Sequence, residues 1–282
     1  MKRRWIITLL LASTVILCAA ASLHPAARPW HSVARCLMVR FTSFQRLEDG
    51  VYASPGFSKE ECLNLMGFIE EARSRVGSLF GDCRAHPTVL FCQTPALYTH
   101  FSGSRLPYSL VQRTPIGDFV VVGPWALSTM FVMHELVHCE MDTRLGWWRS
   151  TNSVPMWFHE GLAVVLSEDP RFGEESLKES QAKYKMEPRL SDMVSASDFN
   201  NLTAINSMLS YGAARREVAR WYAAHQANGL RRLVSEIAAG REFDAVYKDP
   251  PTEPNKMSDS TTSAGTSAAQ QPRVPASVAS HH

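Results

Sequence analysis

Two polar motifs set in apolar surroundings constrain this chain more than any other feature. Residues 134–138 read His-Glu-Leu-Val-His, and residues 155–163 read Pro-Met-Trp-Phe-His-Glu-Gly-Leu-Ala. Large apolar side chains flank the first motif, including Phe131, Val132 and Met133. Burying imidazoles and a carboxylate among such side chains is costly unless they pair with one another or bind a metal ion. The sequence therefore predicts two helices that bring these polar groups together.

The first motif has the H-E-x-x-H spacing of a metal site. Residues four apart lie on one helix face, so His134 and His138 can bind the same ion. Glu135 lies about 100° further round the helix, beside the metal, where a general base for a metal-bound water is needed. A catalytic zinc takes three protein ligands and keeps one position open, and Glu160 is the best candidate for the third ligand. The alternative is an ordinary helix with two half-buried histidines.

The two motifs, H-E-L-V-H and P-x-W-F-x-E-G-L-A, resemble those of the gluzincin metallopeptidases. They are most similar to the peptidase MA-like group, which is related to the thermolysin and aminopeptidase N types. The resemblance covers residues 36–248 and implies a zincin-like α+β fold. That fold has an N-terminal lobe, with a small β-sheet plus helices that include the H-E-x-x-H helix, and a helical C-terminal lobe. The resemblance also implies Zn²⁺ bound by His134, His138 and Glu160.

The sequence departs from the motifs of the related families at three points, which limits what the resemblance implies about activity and metal ligands. The G-x-M-E-N signature of the aminopeptidase N type is absent, so trimming of N-terminal residues is not supported. Val164 stands where the thermolysin pattern has Asp, and His159 precedes Glu160 where aminopeptidases often have Asn. Because His159 is adjacent to Glu160 on a helix, we expect it to point away from the metal.

Two further roles are implied by the resemblance. The segment Ser210-Tyr211-Gly212-Ala213 resembles the one that supplies the catalytic tyrosine of aminopeptidase N-type enzymes, which would make Tyr211 the oxyanion donor. A tyrosine packed between helices is the alternative.

In gluzincins an edge strand over the active site binds extended substrate, and residues 117–122 are the candidate. A plain core strand is the alternative there.

These features favour an exported zinc metallopeptidase that hydrolyses peptide bonds, more consistent with an endopeptidase. A catalytically weak zinc-binding module that holds a protein partner is a second possibility, although it would have no need of Glu135. A zinc hydrolase of a non-peptide amide is a third. The expected partner is a peptide or protein substrate. The net charge is only +2 and the Lys and Arg residues are scattered, so the sequence does not indicate a basic surface for binding nucleic acid. The oligomeric state stays open.

The N-terminus resembles a targeting segment. Lys2-Arg3-Arg4 precedes an apolar run from Trp5 to Ala21 that ends in small residues. We expect residues 1–21 to be a cleaved signal peptide and the body to be periplasmic or extracellular. The alternative is a signal anchor that holds the protein to the inner membrane through residues 5–21. Export would permit two disulfides among Cys36, Cys62, Cys83 and Cys92, with Cys139 a small buried residue.

The rest of the chain is expected to follow this order. Residues 22–35 form a linker, residues 36–41 a strand, and residues 58–80 a helix opened by a capping box at Ser58. Strands follow at 87–92 and 118–122, the H-E-x-x-H helix at 126–145, a loop at 147–154, and the second motif helix at 155–167. Residues 169–200 form a partly helical surface excursion, which is either a lid over the cleft or a solvated insertion. Helices follow at 211–225 and 230–239, a last short segment at 243–247 completes a helical C-terminal lobe, and residues 249–282 form a disordered tail. Asp142 either orients a metal ligand or lies at the surface near Arg144, and Trp147-Trp148 either line a groove or pack between lobes.

Overall fold

The computed structural model describes residues 28–114 and 117–250, and this part of the chain has a mixed α+β fold. The expected signal segment and most of the expected tail lie outside the described residues. The strands are β1 Gln45–Glu48, β2 Val51–Ala53, β3 Thr88–Phe91, β4 Ser109–Gln112 and β5 Phe119–Val122. The helices are α1 Arg28–Leu37, α2 Lys59–Phe80, α3 Pro95–Ser102, α4 Thr129–Leu145, α5 Trp147–Ser153, α6 Met156–Leu166, α7 Glu174–Tyr184, α8 Ala196–Ile205, α9 Ser207–Ala238 and α10 Phe243–Tyr247. Short 3-10 helices span Val39–Phe41, Pro170–Phe172 and Leu190–Met193.

The described strands form one five-stranded sheet in the order β1-β2-β3-β5-β4. The inner strands β2, β3 and β5 run parallel, whereas β1 and β4 pair antiparallel with their neighbours. Strands β3 and β5 read Thr-Val-Leu-Phe and Phe-Val-Val-Val and are almost wholly buried. Continuous runs of β-branched and aromatic residues are typical of strands covered on both faces.

The prediction that residues 117–122 supply the edge strand is wrong. Those residues contain β5, which lies between β3 and β4 in the sheet. The edge strand beside α4 is β4, whose residues Ser-Leu-Val-Gln are all partly exposed. A four-residue strand without an apolar run has no distinctive pattern, so only its pairing with β5 identifies it.

Helix α2 forms as predicted. The Ser58 hydroxyl accepts a hydrogen bond from the Glu61 amide at 3.2 Å, and the Glu61 carboxylate accepts one from the Ser58 amide at 2.7 Å. This capping box satisfies two amides that would otherwise lack partners. Gly81 ends the helix with a φ of 96°, a conformation that costs glycine little. The apolar face of α2, with Leu65, Ile69 and Val76 at its centre, joins the main core.

One hydrophobic core runs from the sheet into the C-terminal helices. Its buried members extend from Val51 in β2 to Val246 in α10. The two expected lobes therefore share a single core. Helix α9 is interrupted at Gln226, where the backbone is non-helical with a φ of 52°. Its two parts correspond to the helices predicted at residues 211–225 and 230–239. No helix in the described part of the chain is both long and apolar enough to cross a membrane.

Residues 36–41 are not a strand, contrary to expectation. Helix α1 begins inside the segment expected to be a linker, and the 3-10 helix Val39–Phe41 follows it. Cys36 and Val39 are buried together, in a small second cluster with residues of α3, β3 and β5. Residues three apart share a helix face, so helical turns bury this pair on one side.

Two segments are more helical or more deeply packed than expected. Residues 147–153 form α5 rather than a loop. The expected surface excursion contains α7 and α8, which bury Leu177 and Phe199 in the main core. Their sequences are polar overall, so only the packing of a few apolar residues shows that they belong to the body of the fold.

The five described cysteines are free thiols, so the two expected disulfides are not formed in this structure. Cys62 lies in the first turn of α2, and Cys83 follows the end of that helix. A helix of this length separates the two by about 30 Å, far beyond the reach of a disulfide. Cys36 donates weak hydrogen bonds to the carbonyl oxygen of Phe101 and to Oε1 of Gln112, each at 3.6 Å. Cys139 is buried, as predicted.

Candidate metal centre

Helices α4 and α6 bring the three predicted ligands together. The Nε2 atoms of His134 and His138 lie 3.3 Å apart. Oε2 of Glu160 lies 3.4 Å from Nε2 of His134 and 3.6 Å from Nε2 of His138. The three atoms therefore form a nearly equilateral triangle at the contact between the two helices.

The triangle has the dimensions of a tetrahedral zinc site. Zinc binds His nitrogen and carboxylate oxygen at about 2.0–2.1 Å, which places neighbouring tetrahedral ligand atoms about 3.3 Å apart. Oε2 of Glu160 is buried and has no hydrogen-bond partner among the described residues. A buried carboxylate oxygen without a donor is costly unless a cation lies beside it. The residues present therefore fit a metal ion, and they form the one such group found in the described part of the chain.

The electrostatics of the triangle also favour a cation. Burial alone would raise the pKa of the Glu160 carboxyl, but the two imidazoles beside it hold that pKa well below its usual range. Burial would likewise lower the pKa of His134, whereas the adjacent Glu160 carboxylate and the charge of Glu135 raise it above its usual value. A carboxylate held ionised between two imidazoles attracts a positive ion.

A glycine allows α6 to approach α9 closely. A Cβ at Gly161 would lie 2.6 Å from the carbonyl oxygen of Ala214 and 2.7 Å from Cγ2 of Val218. Any other residue at this position would push the two helices apart. Gly161 therefore determines how deeply its neighbour Glu160 sits between α4 and α9.

Glu135 is buried beside the triangle and is held by the edge strand. Its Oε1 accepts a hydrogen bond from the Ser109 hydroxyl at 2.7 Å. Both residues line the same cavity as the three ligands. Sequence reasoning missed Ser109, and no motif around it could have indicated this role.

Tyr211 lies at the same cavity, as the resemblance implied. Its ring stacks on Phe172 at 4.8 Å and meets the edge of Phe199 at 5.0 Å. Burial, followed by the charges of Glu160 and Glu135, raises the pKa of its hydroxyl well above the usual value. The residue is thus packed between helices and also presents a protonated donor near the triangle.

His159 lies outside the triangle, as expected for the residue adjacent to Glu160. Its Nε2 donates to the carbonyl oxygen of Ser150 at 2.8 Å. Burial first, and then the charges of Arg113 and His138, hold the pKa of His159 well below its usual range. It is therefore a neutral ring tied to the backbone of α5.

Asp142 is buried and does not lie at the surface near Arg144. Its Oδ2 is 3.1 Å from Nε of Arg113, the residue that follows β4. Arg144 instead pairs with the buried Glu140 at 2.6 Å. Of the two tryptophans, Trp147 lines the cavity and Trp148 is largely exposed.

The cavity at the triangle has a volume of about 600 Å³. Its walls come from β4, from the ligand-bearing helices and from α5, α8 and α9. A space of this size accepts several residues of a peptide or a small molecule. Comparison of the chain with models of known protein families gives no match, and a search of curated protein sequences gives none either.

Proposed function

We propose that this protein is an exported, zinc-dependent metallopeptidase of the gluzincin type that acts as an endopeptidase. The observation that carries the proposal is the triangle of His134, His138 and Glu160, which has tetrahedral dimensions and lies next to the buried carboxylate of Glu135. The helix–sheet arrangement, with an antiparallel edge strand beside the H-E-x-x-H helix, supports a zincin-like fold.

The residues around the triangle can perform amide hydrolysis. Bound zinc would supply a water of lowered pKa and would polarise the substrate carbonyl. Glu135 accepts the proton of the attacking water and then delivers it to the leaving nitrogen. Tyr211 donates a hydrogen bond to the oxygen that becomes negative in the transition state. Ser109 keeps the Glu135 carboxylate oriented towards the cavity.

The free edge of β4 supports a peptide as the substrate. Ser109, Leu110 and Val111 of this strand line the cavity, and β4 pairs with β5 on one side only. An extended peptide can add to such an edge through main-chain hydrogen bonds, whatever its side chains. Among the described residues that line the cavity, the only carboxylates are those of Glu135 and Glu160, so none is left to bind a terminal amine, and this favours cleavage within a chain.

The proposal is tested on the purified protein by metal analysis combined with digestion of a broad peptide library. The wild type is expected to bind one zinc and to cleave peptides. Glu135→Gln should keep the zinc and lose roughly 100-fold or more in rate, because the proton acceptor is gone. Glu160→Gln should lose the zinc. Glu70→Gln on the exposed face of α2 is the matched control and should change neither property.

The alternatives give different outcomes in the same experiment. Zinc binding without cleavage of any peptide would favour a protein-binding module or a hydrolase of a non-peptide amide. A folded protein that binds no zinc would contradict all three functions. Export and the fate of residues 1–21 stay predictions, because that segment lies outside the described residues.

A further inference from the structure

Strand β4 borders a second cavity as well as the one at the triangle. The second cavity has a volume of about 340 Å³ and is lined by residues of α1, α3 and β4. The two cavities share two lining residues, Leu110 and Arg113. A peptide that lay along the edge of β4 would therefore pass from the triangle to the second cavity beside Arg113.

Arg113 is oriented by a buried partner. Its Nε lies 3.1 Å from Oδ2 of Asp142, and the two side chains are 17% and 4% exposed. Asp142 is one helical turn beyond His138 on α4, so the ion pair ties the end of the edge strand to the metal-binding helix. This contact is an ion pair without a hydrogen bond, because neither buried oxygen of Asp142 has a hydrogen-bond partner among the described residues. The two terminal nitrogens of the guanidinium donate no hydrogen bond within residues 28–114 and 117–250.

A guanidinium fixed in this way is suited to a carboxylate. Arginine presents a rigid planar fork that matches carboxylate geometry, and little side-chain freedom is lost on binding when the fork is already held. No other Arg or Lys lines either of the two cavities in the described part of the chain.

We propose that Arg113 is a specificity-determining residue that binds a carboxylate of the peptide substrate at the junction of the two cavities. The inference rests on the proposed function for the substrate being a peptide, although the binding it describes does not require cleavage. Ser109 and Arg113 are four residues apart, or about 13 Å along an extended strand. The carboxylate is therefore that of an acidic residue, or of the chain terminus, a few positions from the scissile bond.

The test uses blocked octapeptides of Ala and Leu that carry a single Glu, or a single Gln, at each position in turn. A second set has a free C-terminal carboxylate or a C-terminal amide and no acidic side chain, which separates the two sources of the carboxylate. Binding to the full chain is followed by the fluorescence of the tryptophans, of which Trp147 lines the cavity. Cleavage of the same peptides is measured in parallel.

The wild type is expected to bind the Glu peptide roughly tenfold or more tightly than the Gln peptide at one or two positions, because a charged hydrogen-bonded pair replaces a neutral one. Arg113→Gln should abolish that preference. Arg113→Lys keeps the charge without the fork and should retain only part of it. Arg105→Gln is the matched control, since this exposed arginine near β4 lines neither cavity, and it should leave the preference intact.

The outcomes separate this inference from the proposed function. Equal binding of Glu and Gln peptides by the wild type, or a preference that survives in a folded Arg113→Gln variant, would overturn the role of Arg113. A preference that depends on Arg113 without any cleavage would support the carboxylate site and count against the peptidase. If Arg113→Gln does not fold, because Asp142 loses its partner, the Arg113→Lys variant decides between the two results.

Discussion

Ser109 connects two parts of the candidate active site that the sequence keeps far apart. It belongs to the edge strand β4, yet its hydroxyl donates to the carboxylate of Glu135 on α4. A carboxylate that accepts a short hydrogen bond is held in one orientation, and positioning of a base within a few tenths of an ångström strongly affects rate. Ser109 is thus a positioning residue that acts through Glu135.

Ser109→Ala is expected to lower kcat roughly tenfold to 100-fold, which corresponds to the loss of one hydrogen bond to a charged group. Zinc content should not change, because the three ligands are untouched. Ser109→Thr keeps the hydroxyl and should restore most of the rate. Ser78→Ala, on the exposed face of α2, serves as the control. An unchanged kcat for Ser109→Ala would show that Glu135 does not depend on this hydrogen bond.

At the scale of elements, the close contact of α6 with α9 shapes the site. Glu160 and Tyr211 lie on these two helices, and the small residue Gly161 permits their approach. The opposite side of α4 is anchored by Glu140, which is fully buried and accepts hydrogen bonds from the amides of Arg84 and Ala85. Two buried contacts thus hold the ligand-bearing helices in position.

Gly161→Ala is expected to lower the free energy of unfolding by about 1–3 kcal/mol, because the added methyl group overlaps the backbone of α9. The added methyl group of Gly67→Ala on α2 meets nothing within 4 Å, so this control should gain about 0.5–1 kcal/mol from helix propensity. Urea denaturation of both variants measures the difference. Equal stability of Gly161→Ala and the wild type would mean that α6 and α9 can separate without cost.

At the scale of the whole molecule, a bound metal would couple the sheet-bearing half of the chain to the helical half. His134 and His138 follow the sheet in the chain, whereas Glu160 packs against α9 through its neighbour Gly161. A ligand that binds only the folded state stabilises it in proportion to the logarithm of its concentration.

Removal of zinc with a chelator is expected to lower the Tm of the wild type by several degrees, and added zinc should restore it. Glu160→Gln should show a much smaller response, because it lacks one of the three ligands. Glu70→Gln should respond as the wild type does. A Tm that does not depend on zinc in the wild type would count against a metal that bridges these helices.

The stability of the folded protein is also expected to depend on pH, because of Asp118. Burial, and then the nearby charge of Asp142, raise the pKa of its carboxyl from 3.8 to about 6. Between these two values the folded protein binds more protons than the unfolded chain, so this group lowers stability as the pH rises through that window. Above a pH of about 6 the Asp118 carboxylate is ionised, and the folded state bears the whole free-energy cost of this buried charge.

Asp118→Asn is therefore expected to gain stability relative to the wild type as the pH is raised from about 4 to about 7.5. Thermal unfolding of the metal-free proteins at both pH values measures the effect without interference from metal release. Asp244→Asn, an exposed site, should show no such trend. A difference in Tm between Asp118→Asn and the wild type that does not grow with pH would contradict the raised pKa.

The sequence by itself determined the parts of this protein that depend on local spacing. The capping box of α2, the buried strands β3 and β5, and the separation of His134 from His138 by one helical turn all follow from residues within a few positions of one another. The mixed α+β class also agrees with the structure. Glu160 meets the two histidines across 22 and 26 positions, and this contact was expected only because the two motifs together resemble those of a known family.

Tertiary structure alone decided which groups meet across long stretches of chain. The position of β4 at the sheet edge, the hydrogen bond from Ser109 to Glu135 and the pairing of Arg113 with Asp142 join residues 26 to 29 positions apart. The helical state of α1 and α5 likewise depends on what they pack against rather than on a repeated pattern. Such contacts arise from the free energy of burying surfaces against each other, which a linear pattern does not record.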